Sequence, residues 1–522
     1  MPFVPALIFA IFVACQAVLV AVGAHRLVLL WRSRHGRAAA GAAGPGAGCL
    51  SGGLSGDPHA FPPAALAGLP SVTVQLPIHN ERYVVRRLME AVAAMDYPRA
   101  RLAVQVLDDS TDDTTGEARA CAAALRARGC DVGVLHRAHR AGYKAGALEA
   151  GLEVARGELI AVFDADFVPP ADFLRRAVRA FDDPRVGMAQ ARWGHLNEPY
   201  SLLTRVQAAF LDGHFLVEQR ARSRSGACFN FNGTAGVWRR EAVMDAGGWQ
   251  HDTLTEDLDL SYRAQLRGWR FVYLEDLVAD AELPVELNAF KSQQHRWARG
   301  SMQTARKLLP RLLASRETPA RKFEACFHLL GNLAYPAALV PALLMLPLMW
   351  LPGRDFGAPP MQVALAYAFT TAAFVGFFAG ALAARAGDAP RRWLCLPAMM
   401  VVGMGMSLNA TRAVFCGLSR AARPGDEFRR TPKWSVRGRT RPGGGRRYRA
   451  RLDRWALAEL LLAVYFACSC AQAVDLGRYE AAPFLGLFAA GFAYVGGCST
   501  LENLRSTLFR KRLDSPAEAV AA

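Results

Sequence analysis

The sequence predicts an α/β domain, built on a doubly wound parallel sheet, joined to a bundle of membrane-spanning helices. Short β-rich runs alternate with helical patterns between residues 71 and 285, as they do in parallel sheets covered on both faces. Five apolar segments, each long enough to cross a bilayer, follow residue 320. Hydrophobic residues make up 52% of the 522 residues, a share that fits a soluble domain combined with membrane helices.

The N-terminal segment has the charge pattern of an anchor helix. Residues 3–31 are mainly apolar, and three arginines follow between residues 32 and 37. Because a cleaved signal peptide carries its positive charge before the apolar stretch, we expect residues 1–31 to remain as a membrane helix whose C-terminal end faces the cytosol. Residues 32–70, rich in Ala, Gly and Pro, are then a flexible linker.

The α/β region, residues 71–310, begins with strand patterns that alternate with helix patterns. The strand patterns are SVTVQLPIH (71–79), LAVQVLDD (102–109), DVGVLHR (131–137) and ELIAVFDADF (158–167). The helix patterns are YVVRRLMEAVAAM (83–95), TGEARACAAALRARG (115–129) and KAGALEAGLEVARG (144–157). Ligands of such sheets bind beyond the carboxyl ends of the strands, so we expect the functional site there.

The C-terminal half contains the membrane segments and a strongly basic loop. The apolar segments are 323–351, 361–384, 393–418, 455–475 and 481–499. Between the third and the fourth, residues 419–454 carry thirteen Lys or Arg against three acidic residues, within a net charge of +17. A nucleic-acid binder could have this charge, but the apolar flanks favour a cytosolic loop, which either contacts anionic lipids or is only a linker. The basic tail, residues 501–522, is expected on the same side, after two membrane helices in 455–500.

The charge pattern conflicts with the number of apolar segments. Three of them lie between the α/β domain and the basic loop, and three crossings would place that loop on the side opposite the domain. We therefore expect residues 311–418 to contain one segment that is interfacial or re-entrant. The first segment contains Pro336, Pro341 and Pro347, and the third contains Asn409 and Arg412.

The eleven cysteines show no C-x-x-C pair and no zinc-binding spacing. Several of them lie in apolar runs, where cysteine behaves as a small hydrophobic residue. The sequence therefore predicts neither a disulfide framework nor a metal–thiolate site.

Acidic pairs follow two of the predicted strands. Asp108 and Asp109 end the second strand, and Asp164 and Asp166 alternate with a small residue at the end of the fourth. Carboxylate oxygens favour Mg²⁺ or Mn²⁺, which proteins usually hold with few ligands and with the phosphates of a substrate. The D-x-D pattern therefore indicates a clamp on a metal-bound diphosphate, although an isolated D-x-D is equally typical of an acidic turn.

Three further motifs allow both a structural and a functional interpretation. In TLTEDLDL, Thr255 could cap a helix with Glu256 and Asp257 in its first turn, or one of these carboxylates could be a general base. Lys144 begins a helix, where it could bind a phosphate or face solvent. The polar turn around Gly233 could be a plain loop or a place where a sugar approaches the backbone.

The segment SQQHRWARG, residues 292–300, places a tryptophan beside an arginine shortly before the membrane segments. Trp297 could anchor the chain at the membrane surface, where tryptophan is enriched. Any further role of Trp297 and Arg296 depends on what the other motifs of the chain supply.

The order of these motifs resembles that of a known family. DD (108–109), DAD (164–166), TED (255–257) and QQHRW (293–297) match, in register, the motifs of membrane-embedded family-2 glycosyltransferases with a GT-A (Rossmann-like) fold. VQLPIHNE, QVLDDSTDDT, GYKAGAL and FNGTAGVWRR are similar to the glucomannan 4-β-mannosyltransferase and cellulose-synthase-like β-glycan synthase branch. The resemblance covers residues 71–310, and RTPKW (430–434) looks like a feature of bacterial relatives.

The resemblance implies a role for each matching residue. The nucleotide-sugar donor would be bound by Glu81, Asp108, Asp109, Lys144 and Asp164. The divalent ion, Mg²⁺ or Mn²⁺, would be bound by Asp164 and Asp166. Asp257 would be the catalytic base, with Glu256 beside it. The acceptor end would be formed by Gln293, Arg296 and Trp297.

The implied function is an inverting, processive β-glycan synthase that transfers hexose from GDP-mannose or UDP-glucose and exports its product. A single-sugar transferase to a membrane lipid, of the ceramide glucosyltransferase type, is the first alternative, and a non-catalytic membrane scaffold is the second. Expected partners are the donor, a glycan or glycolipid acceptor and membrane lipids, with no nucleic acid. A homo-oligomer or accessory export proteins are further expectations. The Ala-, Arg- and Gly-rich composition suggests a bacterial source, hence a multi-pass protein of the plasma membrane with a cytosolic catalytic domain.

Overall fold

A computed structural model describes residues 3–35, 68–349, 360–385, 392–419, 431–438 and 453–513. Most of the predicted linker (32–70), most of the basic loop (419–454) and the end of the tail (501–522) lie outside the described residues.

The centre of the α/β domain is a mixed sheet of eight strands in the order β3-β2-β1-β4-β7-β6-β8-β5. Its strands are β1 Val72–Ile78, β2 Leu102–Asp108, β3 Asp131–His136, β4 Leu159–Val162, β5 Phe167–Val168, β6 Val186–His195, β7 Gly236–Arg239 and β8 Arg270–Ala281. Every residue of β1 and β4 is buried, as expected for central strands covered on both faces.

The first half of the sheet confirms the predicted parallel arrangement, whereas the second half does not. Strands β1 to β4 pair in parallel, and the carboxyl ends of β1 and β2 meet where Ile78 pairs with Asp108. Strand β7 is antiparallel to β4 and β6, so the prediction of a fully parallel sheet is wrong. The reason is that β7 begins where β4 ends, with Gly236 beside Val162. A strand that starts at the carboxyl end of β4 and pairs with β4 has to run in the opposite direction.

The helices cover the sheet and form the membrane bundle. Helix α1 spans Phe3–His35 and precedes the sheet. The helices of the α/β domain are α2 Val85–Ala93, α3 Thr114–Ala127, α4 Tyr143–Glu153, α5 Phe173–Ala177, α6 Leu202–Gly213, α7 Arg220–Ser225, α8 Arg240–Asp245 and α9 Glu256–Leu266, with a π-helical turn over His214–Gln219. The later helices are α10 Leu287–Ala314, α11 Pro319–Leu330, α12 Ala334–Met349, α13 Pro360–Ala384, α14 Cys395–Gly405, α15 Ser407–Ser419, α16 Ala456–Asp475 and α17 Ala482–Leu513.

Five of the six apolar segments of the sequence contain a helix long and apolar enough to cross a membrane, and the sixth contains a bent pair of shorter helices. Five continuous spans are Leu7–His35, Pro319–Met349, Ala364–Ala384, Ala456–Asp475 and Ala482–Thr507. The sixth is the pair α14 and α15, which is bent by 48° at a short break, as in a broken span or a re-entrant loop. The chain is therefore a multi-pass membrane protein.

Helix α10 is tied to the last two membrane helices by buried polar contacts. The Lys291 ammonium lies 2.7 Å from a Glu459 carboxylate oxygen of α16 and also contacts Asp453. At the start of α10, the Glu502 carboxylate of α17 accepts hydrogen bonds from the backbone N–H groups of Leu287 and Asn288, at 2.7 and 2.9 Å. A carboxylate at a helix N-terminus satisfies otherwise unpaired donors, and a buried ammonium requires a counter-charge. The membrane helices thus fix the position of α10.

A contact across the basic loop limits the topology. The Lys433 ammonium lies 2.5 Å from Asp166 at the carboxyl edge of the sheet. Residues 431–438 and the α/β domain therefore lie on the same side of the membrane. We therefore expect only two of the three segments between residues 319 and 419 to cross, the bent α14–α15 pair being the candidate for re-entry.

A tag inserted after Gly438 should be protected in sealed cells together with a tag in the α/β domain. Labelling of the first tag alone from outside would contradict this topology.

Candidate active site

Two adjoining cavities, of about 740 and 680 Å³, open at the carboxyl edge of the sheet. The first contains Asp257 and Trp297, and the second contains Glu81 and Asp109. The residues shared by both are Lys144, Asp164, Asp166, Gln293, Arg296 and Lys433. Residues far apart in the sequence are therefore brought to one site, as the positions of the motifs after the strands predict.

The two aspartates of the D-x-D motif each pair with a lysine. Lys144 Nζ lies 2.6 Å from Asp164 Oδ1 and donates to the Gly233 carbonyl at 2.8 Å. Lys433 Nζ lies 2.5 Å from Asp166 Oδ2. Burial raises the pKa of Asp164, although Lys144 opposes the effect. Burial alone would lower the pKa of Lys144, but Asp164, Glu256 and Asp257 raise it above its ordinary value, so this lysine remains a cation.

The chemistry of Asp164 and Asp166 fits a divalent cation that is completed by a substrate. Their side chains are 35% and 14% exposed, so both are accessible from the cavities. Within the described ranges, no three His, Cys, Asp or Glu side chains surround a common metal position. Mg²⁺ and related ions are commonly held by one or two carboxylates and by phosphate oxygens, which is the set that these two aspartates and a diphosphate would provide.

Glu256 and Asp257 form the acidic start of α9. Burial, and then the neighbouring Glu256 charge, raise the pKa of Asp257 to about 7, and burial also raises the pKa of Glu256. Like charges in a partly desolvated site favour the protonated form, which explains both directions. The suggested capping role of Thr255 is wrong, because its side chain makes no cap hydrogen bond and lies 3.2 Å from the Thr304 hydroxyl.

The backbone conformation of Gly233 explains why the polar turn before β7 requires a glycine at this position. Its φ is +83°, a conformation that other residues rarely adopt. A Cβ added there would lie 2.8 Å from Asp257 Oδ2 and 3.4 Å from Lys144 Nζ. The turn therefore brings its backbone directly against the candidate base and the candidate phosphate-binding lysine.

The pair after β2 divides into a buried member and a cavity member. The Asp108 carboxylate is fully buried and accepts hydrogen bonds from the Ser110 backbone and the Thr115 hydroxyl, at 2.9 and 2.6 Å, with His136 also at 2.9 Å. Asp109 lines the second cavity and accepts hydrogen bonds from Arg137 Nε and Nη2, at 2.8 and 2.7 Å. We therefore revise the expected role of Asp108 from contact with the donor to support of this loop.

The acceptor-end residues share one face of α10. Gln293, Arg296 and Trp297 have the three- and four-residue spacing of neighbours on a helix, and all line the first cavity. The Trp297 ring lies 6.5 Å from the ring of Trp193, which also lines this cavity. Trp297 therefore faces the cavity, where a sugar ring could stack, and not the membrane surface as an anchor would.

The first cavity is also lined by Trp193, Asn232 and Lys433, for which no role was predicted from the sequence. Trp193 is near the end of β6, a strand that the sequence patterns did not predict. Lys433 belongs to a motif recognised only as a family feature. Its contact with Asp166 joins residues 267 positions apart, which no local pattern predicts.

Comparisons with known proteins confirm the family that the order of the motifs suggested. Residues 70–300 match the family model described as "Glycosyltransferase like family 2". A probable glucomannan 4-beta-mannosyltransferase 3 from Oryza sativa subsp. japonica is 33% identical over 84% of this chain and 80% of its own length. Glucomannan 4-beta-mannosyltransferase 2 from Arabidopsis thaliana is 43% identical over 48% of each chain.

A solved mannosyltransferase from Pyrobaculum calidifontis, in complex with GDP-Man and Mn²⁺, covers 72% of this chain and 98% of its own, at 22% identity and a TM-score of 0.49. The two sequence relatives are plant proteins. They give no support to the expectation of a bacterial plasma membrane.

Proposed function

The chain belongs to the family-2 glycosyltransferases, and from this premise we propose that it transfers mannosyl residues from GDP-mannose to a growing β-glycan. The glucomannan mannosyltransferase named above, similar over four fifths of its length, supports this choice of sugar and product. UDP-glucose is the alternative donor. The GT-A fold and the multi-pass membrane part fit an enzyme that elongates a glycan beside the membrane.

The observation that carries the proposal is the arrangement of the first cavity. Asp164, Asp166 and Lys144 lie on the side of β4 and α4, and Trp297 lies on α10. Asp257 lines the same cavity and lies against Gly233. A donor diphosphate and an acceptor sugar can therefore meet beside a carboxylate that accepts a proton near neutral pH.

The reaction would be a single displacement at the anomeric carbon. Asp257 accepts the proton of the attacking acceptor hydroxyl, whose oxygen forms the new bond to the anomeric carbon. The bond from that carbon to the diphosphate oxygen breaks, and its electron pair leaves with the nucleoside diphosphate. Attack opposite the leaving group inverts the configuration, so an α-linked donor gives a β-glycosidic bond.

Positive groups stabilise the leaving diphosphate. Arg296 and Lys144 line both cavities and can donate to the phosphate oxygens as negative charge develops. A divalent ion on Asp164 and Asp166 would supply further charge neutralisation. Lys433 pairs with Asp166 in the described structure, so this lysine and the ion would compete for one carboxylate.

The expected position of the acceptor end supports the proposal of processive elongation and export. Helix α10 carries Trp297 and is held at its start by α16 and α17. A chain stacked on Trp297 therefore ends directly beside the membrane helices. Transfer of one sugar to a membrane lipid would use the same position, so the product decides between these two functions.

The rate of transfer should fall as the pH is lowered below about 7. Asp257 has a raised pKa of about 7 and is active as a base only when ionised, so the rate should rise with pH through that value and then level off. In Glu256→Gln, loss of the like charge should lower the pKa of Asp257 and move the acid limb to lower pH. A rate profile at saturating donor measures this. An unchanged acid limb in the variant would contradict the pairing of these carboxylates.

Membranes that contain the protein should form a polymer from labelled GDP-mannose with Mg²⁺ or Mn²⁺. We expect ethanol-insoluble label that β-mannanase releases and that is absent in the isosteric variant Asp257→Asn. Label from UDP-glucose that β-glucanase releases would change the donor. Label found only in an organic-soluble lipid would contradict the polymer proposal, and equal label in Asp257→Asn would contradict the assignment of the base.

A further inference from the structure

Asn232 lines the cavity that contains Trp297 and Asp257, and it directly precedes Gly233. Gly233 lies against both the candidate base and Lys144. The Asn232 side chain is therefore near the point where an acceptor hydroxyl would lose its proton.

Two neighbours fix the orientation of the Asn232 amide. Gln219 Nε2 donates to Asn232 Oδ1 at 2.7 Å, and Asn232 Nδ2 lies 2.8 Å from His214 Nε2. Because the Gln219 amide nitrogen can only donate, the atom of Asn232 that faces it has to be the oxygen. The nitrogen of Asn232 then faces His214, which has to accept.

The surroundings of His214 favour this accepting role. Its Nδ1 lies 3.4 Å from Glu218 Oε2. Burial alone would raise the pKa of Glu218, but Arg222 and His214 hold it well below its usual range, so its carboxylate is ionised and only accepts. The His214 proton therefore belongs on Nδ1, which leaves Nε2 with the lone pair that Asn232 requires.

These contacts come from a local distortion of the helix. His214, Glu218 and Gln219 all lie in the π-helical turn His214–Gln219, a form that is rare and frequent at functional sites. The turn is anchored further by Arg222, which pairs with Glu218 at 3.2 Å and with the buried Glu324 of α11 at 3.1 Å. The orientation of one amide in the cavity is thus set by a rigid, charged support.

The loop is also held by contacts that do not involve this amide. The Asn232 backbone N–H donates to Gln190 Oε1 at 2.9 Å, and the next carbonyl accepts from Lys144. After its bonds to Gln219 and His214, the Asn232 side chain retains one N–H and one oxygen lone pair. These are the two groups that recognise a sugar hydroxyl as acceptor and donor.

We propose that Asn232 binds the acceptor sugar and orients its attacking hydroxyl toward Asp257, with the π-helical turn His214–Gln219 fixing the direction of its amide. This role rests on the proposed function. It separates the acceptor from the donor, because Asn232 lines only the first of the two cavities, whereas the diphosphate-binding candidates line both.

The test compares transfer with donor hydrolysis, in which water replaces the acceptor. Purified protein would receive GDP-mannose, a divalent ion and a β-linked manno-oligosaccharide. In Asn232→Ala and in the isosteric Asn232→Asp, we expect the ratio of transfer to hydrolysis to fall about tenfold or more. His214→Phe should produce a smaller loss of the same kind, and none in the Asn232→Ala background.

The matched control is Asn230→Ala, a buried asparagine of the same loop that does not line the cavities. It should change transfer and hydrolysis in parallel, as a loss of folded protein does. Parallel losses in both Asn232 variants, or no loss, would overturn the proposed role of Asn232 alone. Absence of both reactions in the unaltered protein, with GDP-mannose and with UDP-glucose, would overturn the proposed function as well.

Discussion

The constraint on which the site depends is the crowding of four carboxylates at one edge of the sheet. Asp164, Asp166, Glu256 and Asp257 all line the first cavity. Like charges placed this close repel one another, so the site requires cations close by. The cations that line this cavity come from three separate parts of the chain and are Lys144, Arg296 and Lys433. The electrostatics of the site thus connects α4, α10 and the loop between membrane helices.

This requirement also explains why the catalytic domain and the membrane helices form one structure. Arg296 and Trp297 have to face the carboxylates from α10, and that helix is held by Lys291 and Glu502 at buried contacts with α16 and α17. Lys433 reaches the site from a segment between α15 and α16. The membrane helices therefore hold in place the helix α10, which supplies Arg296 and Trp297 to the first cavity.

Much of the domain could be predicted from the sequence because its signals are local. The alternation of strand and helix patterns predicted β1 to β4 correctly, and the rule that ligands bind at the carboxyl ends predicted where Asp109 and Asp164 would meet. The antiparallel β7 was not predicted, since its direction depends on the edge at which the chain enters the sheet. Lys433 and Asn232 were missed because their roles arise from contacts with residues distant in the sequence or from a π-helical turn.

The most direct test of this account is the binding of Mn²⁺ by purified protein, measured by equilibrium dialysis with and without GDP. Because Asp164 and Asp166 are each paired with a lysine and no third carboxylate joins them in the described ranges, we predict weak retention of Mn²⁺ alone. Addition of GDP should increase retention strongly, and the double variant Asp164→Asn, Asp166→Asn should abolish the increase. Tight binding of Mn²⁺ without GDP, or an equal increase in the double variant, would contradict a metal site that the donor diphosphate completes.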